Sequence, residues 1–367
     1  MARITPCLEN GKVARFCAKP DVVANGSTEF IVIRGRRGLT DNDFAYYLTK
    51  WDGVRGYAIN QMTGSSGRQR VPTRTFDHLK IAVPPLEEQR AIAHILGALD
   101  DKIELNRRMN ETLEAMARAI FKSWFVDFDP VRAKAAGRDP ALPKPLADLF
   151  PDSFEDSELG LVPEGWNILS LPEVIDVNPT RRLSKGCLAP YLEMKNMPTT
   201  SMRAQEFDKR EFSSGVRFIN GDTLVARITP CLENGKTCYV DFLKYGQVGW
   251  GSTEYIVLRP LMPVPSVFAY FLARMPEFRS FAITNMSGTS GRQRVPASCF
   301  KQYQLAIPPF DLAKQFSSIA DSVIQKMKSN DEESRTLAAL RDTLLPKLIS
   351  GELRLQEAKS FIGKTAG

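Results

Sequence analysis

Histidine is scarce in this chain, and the usual sequence marks of a metal site or a catalytic site are missing. Only His78 and His94 occur among 367 residues, which leaves general acid–base chemistry to carboxylates, and no carboxylate pair stands out. The six cysteines include no Cys-x-x-Cys spacing, which argues against a zinc site. Nothing resembles a signal peptide, and no apolar run reaches the ~18 residues of a membrane-spanning helix. We therefore expect a cytoplasmic protein without a metal site or a membrane partner.

Motifs that bind nucleotides or methyl donors are missing as well. The Asn-Gly-Lys sequences at 10–12 and 234–236 end like a phosphate loop, but Pro6 and Pro230 occupy the position of its first glycine. Asn178-Pro179-Thr180 lacks the aromatic residue that completes an amino-methyltransferase motif. No Gly-x-Gly-x-x-Gly sequence opens a helix after a strand, and no nuclease triplet is convincing. The chain is predicted to bind or to scaffold rather than to catalyse.

One block of sequence occurs twice, and the two copies lie 224 residues apart. Residues 2–12 (ARITPCLENGK) return unchanged at 226–236. Residues 62–72 (MTGSSGRQRVP) return at 286–296 with only Thr/Ser exchanges, and 286 − 62 is again 224. A period this long indicates a duplicated domain rather than a solenoid repeat of roughly 20–50 residues. The duplication predicts that the protein performs one task at two places.

Each repeat is predicted to contain a small mixed α/β domain followed by a long helix. Buried strands are predicted at residues 30–33 and 255–258, short helices at 44–48 and 268–272, and loops at 64–67 and 288–291. Apolar residues then recur every three to four positions over some 40 residues, which is typical of a coiled-coil stripe. The stripe residues are Ile92, Ile95, Leu99, Ile103, Leu113, Met116, Ile120 and Trp124, and their repeat partners Phe316, Ile319, Val323, Met327, Leu337, Leu340, Leu344 and Leu348.

The two long helices are expected to pair with each other in opposite directions. Each would be about 60 Å long, which exceeds what a domain of this size can cover, and antiparallel pairing would bury both stripes. The alternative is that each helix packs on its own domain. Asn106 and Asn330 interrupt both stripes at equivalent points, either as a buried pair that fixes register or as an exposed point.

The sequence as a whole predicts an α+β fold, in which two small mixed α/β domains are separated by two long helices that form an antiparallel coiled coil. The predicted segments are a first domain at 1–85, a helix at 86–126, an extended connector at 127–165, a second domain at 166–309, a helix at 310–350 and a tail at 351–367. Some sixty residues from Trp166 onward precede the repeated block at 226, whereas only Met1 precedes Ala2. We expect the first domain to be N-terminally incomplete, with an open sheet edge that can recruit a partner chain.

A combination of motifs resembles one protein family. The motifs are SGRQR at 66–70, IAVPPLEEQR at 81–90, FVDFDPVRAK at 125–134, FPDSF at 150–154 and LLPKLISGEL at 344–353. With these motifs the chain resembles, over essentially its whole length, the specificity subunit of type I DNA restriction-modification enzymes.

The resemblance implies two target recognition domains that each read one half of a bipartite double-stranded DNA target. It also implies that the chain is not catalytic and that its partners are two modification (methyltransferase) subunits and restriction (translocase/nuclease) subunits. S-adenosylmethionine, ATP and Mg²⁺ are expected on those partners, and no cofactor is expected on this chain. A net charge of +7 suits an anionic partner. The alternative is a coiled-coil protein-interaction scaffold without DNA specificity.

The repeated loops supply the candidate DNA contacts. Arginine can fork onto guanine or phosphate and glutamine onto adenine, and flanking glycines allow close backbone approach. The first candidates are Arg68, Gln69 and Arg70 with Arg292, Gln293 and Arg294; the alternative is that they hold the loop to its own domain or to a modification subunit. The second set consists of candidates for phosphate contact, for which the alternative is a scaffold turn: Arg3, Thr5, Lys12, Ser27, Thr28, Arg227, Thr229, Lys236, Ser252 and Thr253. Residues that read different bases must differ between repeats, so base discrimination is predicted at residues 34–61 and 259–285.

Overall fold

Two helices of 40 and 41 residues are the longest elements in the computed structural model, which describes residues 1–16, 22–289 and 291–357. The helices are α1 (Asn42–Lys50), α2 (Asp52–Asn60), α3 (Leu86–Phe125), α4 (Asp129–Ala135), α5 (Lys144–Ala147), α6 (Leu171–Val174), α7 (Phe268–Arg274), α8 (Pro276–Thr284) and α9 (Phe310–Ser350). The strands are β1 (Phe154–Ser157), β2 (Gly160–Pro163), β3 (Asn167–Ser170), β4 (Ile175–Val177), β5 (Leu188–Leu192), β6 (Asp208–Glu211), β7 (Val216–Phe218), β8 (Thr223–Ala226), β9 (Thr237–Tyr239), β10 (Gly249–Gly251), β11 (Tyr255–Pro260) and β12 (Gln304–Ile307).

The chain divides into two units, and both long helices cross the boundary between them. Unit 1 comprises Met1–Arg108 with Lys328–Gly367, and unit 2 comprises Met109–Met327. Each unit therefore contains one half of α3 and one half of α9, so the pairing of the two helices is visible inside each unit.

In unit 1 the first half of α3 packs against the second half of α9. Arg341 of α9 donates to Asp100 of α3 at 2.6 Å, and Tyr47 of α1 donates to the other oxygen of that carboxylate at 2.8 Å. A shared apolar core that includes Ile92, Leu96, Leu344 and Leu348 surrounds this polar contact. The core explains why α1 forms where it does, because Phe44 and Tyr47 project into it from one helix face.

In unit 2 the second half of α3 packs against the first half of α9. Asn110 donates to the backbone carbonyl of Met327 at 3.4 Å, and the rings of Phe121 and Phe316 lie 5.6 Å apart. In both units, residues further along α3 contact residues earlier in α9. The two helices are therefore antiparallel. The predicted fold class, a mixed α+β fold with two long paired helices, is confirmed.

The two asparagines that interrupt the apolar stripes are buried in unit 1. The side-chain nitrogen of Asn106 donates to the backbone carbonyl of Asn330 at 3.3 Å and to Glu333 Oε2 at 2.8 Å. Asn106 and Asn330 are repeat partners, so equivalent positions of the duplicated sequence meet at this point. The sequence left open whether Asn106 and Asn330 are buried or exposed, and in the structure both are buried.

The buried face of the second half of α3 differs from the predicted stripe. Met116 was placed in the stripe but is exposed, whereas Ala117, Phe121 and Phe125 are buried. The reason is the neighbour: Phe121 packs edge-on against Phe268 and stacks near Phe271 of α7. The second half of α3 therefore buries the face that contacts this aromatic core of unit 2, and not only the stripe that contacts α9.

Residues 127–165 were predicted to be an extended connector, and this prediction is wrong in detail. They contain α4, α5 and the β1–β2 hairpin, in which Phe154 pairs with Pro163. Phe128 and Phe150 are buried, and Phe128 lies edge-on to Trp166 at 5.4 Å. These buried aromatic residues are irregularly spaced along a proline-rich segment, so they produce no periodic pattern in the sequence. Their burial is seen only in the folded structure.

Unit 2 contains two four-stranded sheets. One has the order β4-β11-β8-β9, and the other has the order β6-β5-β10-β7 with a single parallel pair, β5 and β10. The side chains of β11 alternate between two cores. Ile256 and Leu258 pack with α7 and α9, and Tyr255 and Val257 pack with residues of the second sheet. The predicted buried strand at 255–258 is confirmed.

The prediction of a matching strand at residues 30–33 of unit 1 is wrong. Within the described residues of unit 1, this segment makes one isolated bridge, between Ala2 and Phe30, and Ile31 exchanges backbone hydrogen bonds with Met1. Ile31 is buried, but Phe30 and Val32 are exposed. An apolar sequence becomes a buried strand only when neighbouring strands pair with it. Helix α1 does form over the predicted residues 44–48, as α7 does over 268–272.

Candidate nucleic-acid interface

The repeated loop at 62–72 has the same backbone hydrogen bonds as the described residues of its copy, 286–289 and 291–296. Thr63 and Arg70 exchange backbone hydrogen bonds of 2.9 and 2.8 Å, and Ser287 and Arg294 exchange bonds of 3.0 and 2.8 Å. The turn depends on glycine: Gly64 has φ 124° and its partner Gly288 has φ 123°, values that L side chains rarely adopt. The Thr/Ser exchanges between the copies therefore leave the shape of the loop unchanged.

A bidentate ion pair holds each loop to its own unit. Arg70 Nε lies 2.9 and 3.0 Å from the two carboxylate oxygens of Glu29, and Arg294 Nε lies at the same distances from those of Glu254. The hydrogen bond that Arg70 donates lowers the pKa of Glu29, and the hydrogen bond that Arg294 donates to Glu254 raises the pKa of Arg294. These contacts are the alternative that the sequence left open for Arg70 and Arg294.

Several second-rank candidates also stabilise the scaffold. The hydroxyl groups of Ser27 and Ser252 each accept a 3.1 Å hydrogen bond, from the backbone N–H of Glu29 and of Glu254. The backbone N–H groups of Thr5 and Thr229 donate to the carbonyls of Gln69 and Gln293 at 3.0 and 3.1 Å. The residues before the loops thus bind the backbone that carries the glutamines.

The guanidinium groups of Arg68 and Arg292 are differently placed. Both side chains are exposed, and neither forms a hydrogen bond or ion pair within the part of the chain that the structure describes. Their backbone carbonyls accept from Arg70 Nη1 at 3.3 Å and from Arg294 Nη1 at 3.2 Å. The paired arginine therefore supports the backbone of the unpaired one, which projects to solvent beside a half-buried glutamine.

The remaining candidates lie around these loops. Lys12 is exposed, whereas its partner Lys236 donates to the carbonyl of Met194 at 2.6 Å. Thr28 and Thr253 are exposed. Arg3 and Arg227 are half-buried, and their Nε atoms are enclosed without a hydrogen-bond partner among the described residues.

The sequence argument missed a further repeated arginine, Arg55, with its partner Arg279. An added side-chain carbon at Gly11 would lie 2.8 Å from Arg55 Nη1, and one at Gly235 would lie 2.9 Å from Arg279 Nη1. Each arginine thus reaches over the glycine of a repeated Asn-Gly-Lys sequence. Their common spacing of 224 residues was the signal available in the sequence.

The segments predicted to discriminate bases are largely structural in unit 2. Residues 259–285 contain α7 and α8, and six residues of α7 are buried. Exposed positions such as Glu277 and Ser280 in this segment remain available for contact. The side chains that differ between the repeats therefore include core residues as well as surface residues.

The described residues contain neither a group of metal ligands nor a helix that could span a membrane. No three or more His, Cys, Asp or Glu side chains in residues 1–16, 22–289 and 291–357 are grouped so as to hold a metal ion. Over the same residues, no helix has the length and apolar character needed to cross a membrane.

Comparison with known proteins finds similarity to one family. The family model described as "Type I restriction modification DNA specificity domain" matches residues 9–115. The HindI specificity subunit of Haemophilus influenzae is 25% identical, over 89% of this chain and 81% of that protein. The MjaIX specificity subunit of Methanocaldococcus jannaschii is 26% identical, over 86% of this chain and 70% of that protein. A solved S subunit from M. genitalium aligns with 84% of this chain and 72% of its own, with a TM-score of 0.46 and 17% identity. The chain is therefore similar in sequence to type I restriction enzyme specificity subunits, and its residues 9–115 match their DNA specificity domain.

Proposed function

We propose that this chain is the DNA-recognition subunit of a type I restriction-modification complex. Each of its two repeated loops contacts one half of a bipartite double-stranded DNA target. The chain joins two modification subunits and the restriction subunits, which carry S-adenosylmethionine, ATP and Mg²⁺, and it catalyses no step itself. The complex acts in the cytoplasm, where the DNA is.

One observation carries the proposal: in each unit the repeated loop projects an exposed arginine, Arg68 or Arg292, that has no ion pair among the described residues. Arg70 and Arg294 are neutralised by Glu29 and Glu254, so the exposed guanidinium at position 68 or 292 is left to attract an anion. A planar guanidinium suits phosphate or the edge of guanine, and a neighbouring glutamine suits the edge of adenine. Phosphate contacts position a protein on DNA, and base contacts select the sequence.

Identity between the repeats divides these roles. A residue that is repeated without change reads the same base in both half-sites or contacts phosphate. Arg68 and Arg292 are therefore assigned primarily to phosphate, with Arg279 and Lys12 as additional positive charges. Arg55, the partner of Arg279, is paired with Asp52 at 2.6 Å. Sequence discrimination is assigned to exposed residues that differ between the units.

DNA binding at several salt concentrations tests the assignment. The purified chain, in complex with its modification subunits, should bind double-stranded DNA with an affinity that falls steeply as salt rises. Arg68→Ala and Arg292→Ala should each weaken binding and reduce the slope of log affinity against log salt by about one unit. The double variant should lose about twice as much.

Arg335→Ala is the matched control, because Arg335 is an exposed arginine of α9 that belongs to neither loop. It should leave affinity and slope unchanged. Equal effects at Arg335 and Arg68 would contradict the role of the loops. Salt-insensitive association with a protein, in place of DNA binding, would support the alternative of a protein-interaction scaffold.

A further inference from the structure

One repeated arginine has a carboxylate partner in unit 1 and none in unit 2. Arg55 of α2 donates to Asp52, one helical turn earlier, at 2.6 Å. The position equivalent to Asp52 in the second repeat is Pro276, which opens α8 and carries no charge. Arg279, the partner of Arg55, is half-buried and forms no hydrogen bond or ion pair among the described residues. At this position, unit 2 therefore has one available positive charge more than unit 1.

The surroundings of Arg279 leave its guanidinium available to a ligand. Its Nη1 atom lies against Gly235, where an added side-chain carbon would come within 2.9 Å. The backbone carbonyls of Gly235 and Thr199 already accept hydrogen bonds from Arg274, at 2.8 and 2.7 Å. Glu277 is the one acidic residue of α8. It lies two positions before Arg279, and residues two apart on a helix do not face each other.

Arg279 lies beside the stretch of backbone that also supports the repeated loop of unit 2. The N–H of Thr229 donates to the carbonyl of Gln293 in that loop at 3.1 Å. Gly235, against which Arg279 lies, belongs with Thr229 to the repeated block 226–236. Helix α8 itself ends at Thr284, just before the loop. The position of Arg279 is therefore linked through two short connections to the loop assigned to DNA.

A groove of about 430 Å³ begins at the residue after Gly235. Its lining is mostly polar and includes Lys195, Lys236, Thr199, Thr200, Gln205 and Glu206. Ammonium, hydroxyl and amide groups are the donors that proteins present to phosphate oxygens. The groove thus gives an anion that reaches Arg279 both room and further hydrogen-bond donors.

We propose that Arg279 binds a phosphate group of double-stranded DNA in the half-site contacted by unit 2, and that unit 1 lacks the matching contact. Asp52 occupies the guanidinium of Arg55, and its carboxylate would repel a phosphate. The inference rests on the proposed function and adds to it an inequality between the two half-sites. One phosphate contact contributes about one unit to the slope of log affinity against log salt.

Supplying the missing carboxylate tests the inference. Pro276→Asp reproduces in α8 the pairing of Asp52 with Arg55, and an acidic residue in the first turn suits a helix. The variant is measured in complex with the modification subunits, on a duplex carrying the target found by mapping methylated adenines in the host. Its salt slope should fall by about one unit, as it should in Arg279→Ala. Pro276→Asn, which adds no charge, is the matched control and should keep the original slope.

The double variant separates pairing with Arg279 from general repulsion of DNA. In an Arg279→Ala background, Pro276→Asp should cause little further loss of affinity, because the group that it neutralises is already gone. A further loss as large as the first would overturn the inference. Pro276→Asp also retains the Arg279 side chain, so its effect does not depend on packing that Arg279→Ala removes.

Ethylation of single phosphates assigns the contact to a half-site. One phosphate whose ethylation blocks binding of the unmodified chain should cease to matter in Arg279→Ala, and it should lie in the half-site affected by Arg292→Ala. Asp52→Asn, which releases Arg55, should create a new such phosphate in the half-site affected by Arg68→Ala. An unchanged pattern in Arg279→Ala, while both loop variants still weaken binding, would refute this inference and leave the proposed function standing. If no loop variant alters DNA binding either, both fail.

Discussion

At the scale of single residues, arginines two positions apart in one loop have opposite environments. Arg70 is held by Glu29, which lies 41 positions earlier in the sequence, while Arg68 is exposed. The sequence motif Arg-Gln-Arg presents both as equivalent. The distinction arises from the approach of a distant carboxylate, and unit 2 repeats it with Arg294 and Glu254.

Arg294→Ala is expected to loosen the loop without unfolding unit 2. The substitution removes the hydrogen bonds to Glu254 and the one to the Arg292 carbonyl, while the backbone pairing of Ser287 with Arg294 remains. Hydrogen exchange should accelerate at residues 287–294, with little change in melting temperature, because exposed ion pairs contribute little to global stability. Arg292→Ala is the control and should leave exchange in the loop unchanged. Equal acceleration in both variants would contradict the supporting role of Arg294.

The pH dependence of the first loop follows from the lowered pKa of Glu29. A lowered pKa in the folded state means that ionised Glu29 stabilises the fold above about pH 4.3, the ordinary value for glutamate. The contribution should disappear as the pH falls through the lower, folded-state pKa. An NMR titration of the Glu29 carboxyl carbon should show its midpoint below the ordinary value, and Arg70→Ala should move it upward. A midpoint that Arg70→Ala leaves in place would contradict the ion pair.

At the scale of elements, α3 does more than pair with α9. In unit 2, Glu114 of α3 is buried and accepts hydrogen bonds from Tyr270 Oη at 2.6 Å and from the backbone N–H of Met202 at 2.7 Å. Arg118, one turn later, donates to the same carboxylate at 2.6 Å. One helix position thus ties α7 and the segment around Met202 to the long helix.

Glu114→Ala should strongly destabilise unit 2. It leaves the Tyr270 hydroxyl, the Met202 N–H and the buried Arg274 guanidinium, 3.7 Å from Glu114, without their shared acceptor. Removal of one partner of a buried charge pair costs about 3–5 kcal/mol. Urea denaturation, followed by tryptophan fluorescence, measures the loss. Met116→Ala, two positions away and exposed, should change stability by no more than about 0.5 kcal/mol. A small effect of Glu114→Ala would show that the carboxylate is dispensable.

Whether an element could be predicted from the sequence depends on whether it is determined by local pattern or by contacts between distant residues. Helices α3 and α9 could be recognised because a three-to-four spacing over 40 residues is a local property. The exposure of Met116 could not be recognised from sequence. Which face of α3 is buried depends on its contacts with Phe268 and Phe271, some 150 positions away. The strand at 30–33 failed for the same reason, since strand pairing is a long-range property.

At the scale of the whole molecule, the repeat gives each unit the same loop, the same ion pair and half of each long helix. Asn106 and Asn330, equivalent in the two repeats, meet within the helix pair. On the proposed function, we predict that the length of the two long helices determines which spacing between half-sites is accepted, as protein geometry does in dimeric repressors.

Insertion of one heptad into both long helices, next to Asn106 and Asn330, should lengthen the stretch of DNA that the protein accepts between the two half-sites. Seven residues keep the apolar stripe in phase and add about 10 Å at ~1.5 Å per residue. At 3.4 Å per base pair this corresponds to about three base pairs. Mapping methylated adenines in cells that carry the modification subunits would give the gap. The same insertion in α3 alone puts the helices out of step and should abolish methylation; an unchanged gap in the double insertion would contradict the spacer role.

The sequence by itself determined the duplication, the two long helices, the glycine-bounded loops and the resemblance to one family, because these depend on local pattern or on direct comparison of one segment with another. The tertiary structure alone decided which arginine of each loop is neutralised and which is exposed, which face of α3 is buried, how residues 127–165 are anchored, and that residues 30–33 expose an apolar face. Charge pairing and burial depend on groups brought together from distant positions, and no local pattern records which of those groups will meet.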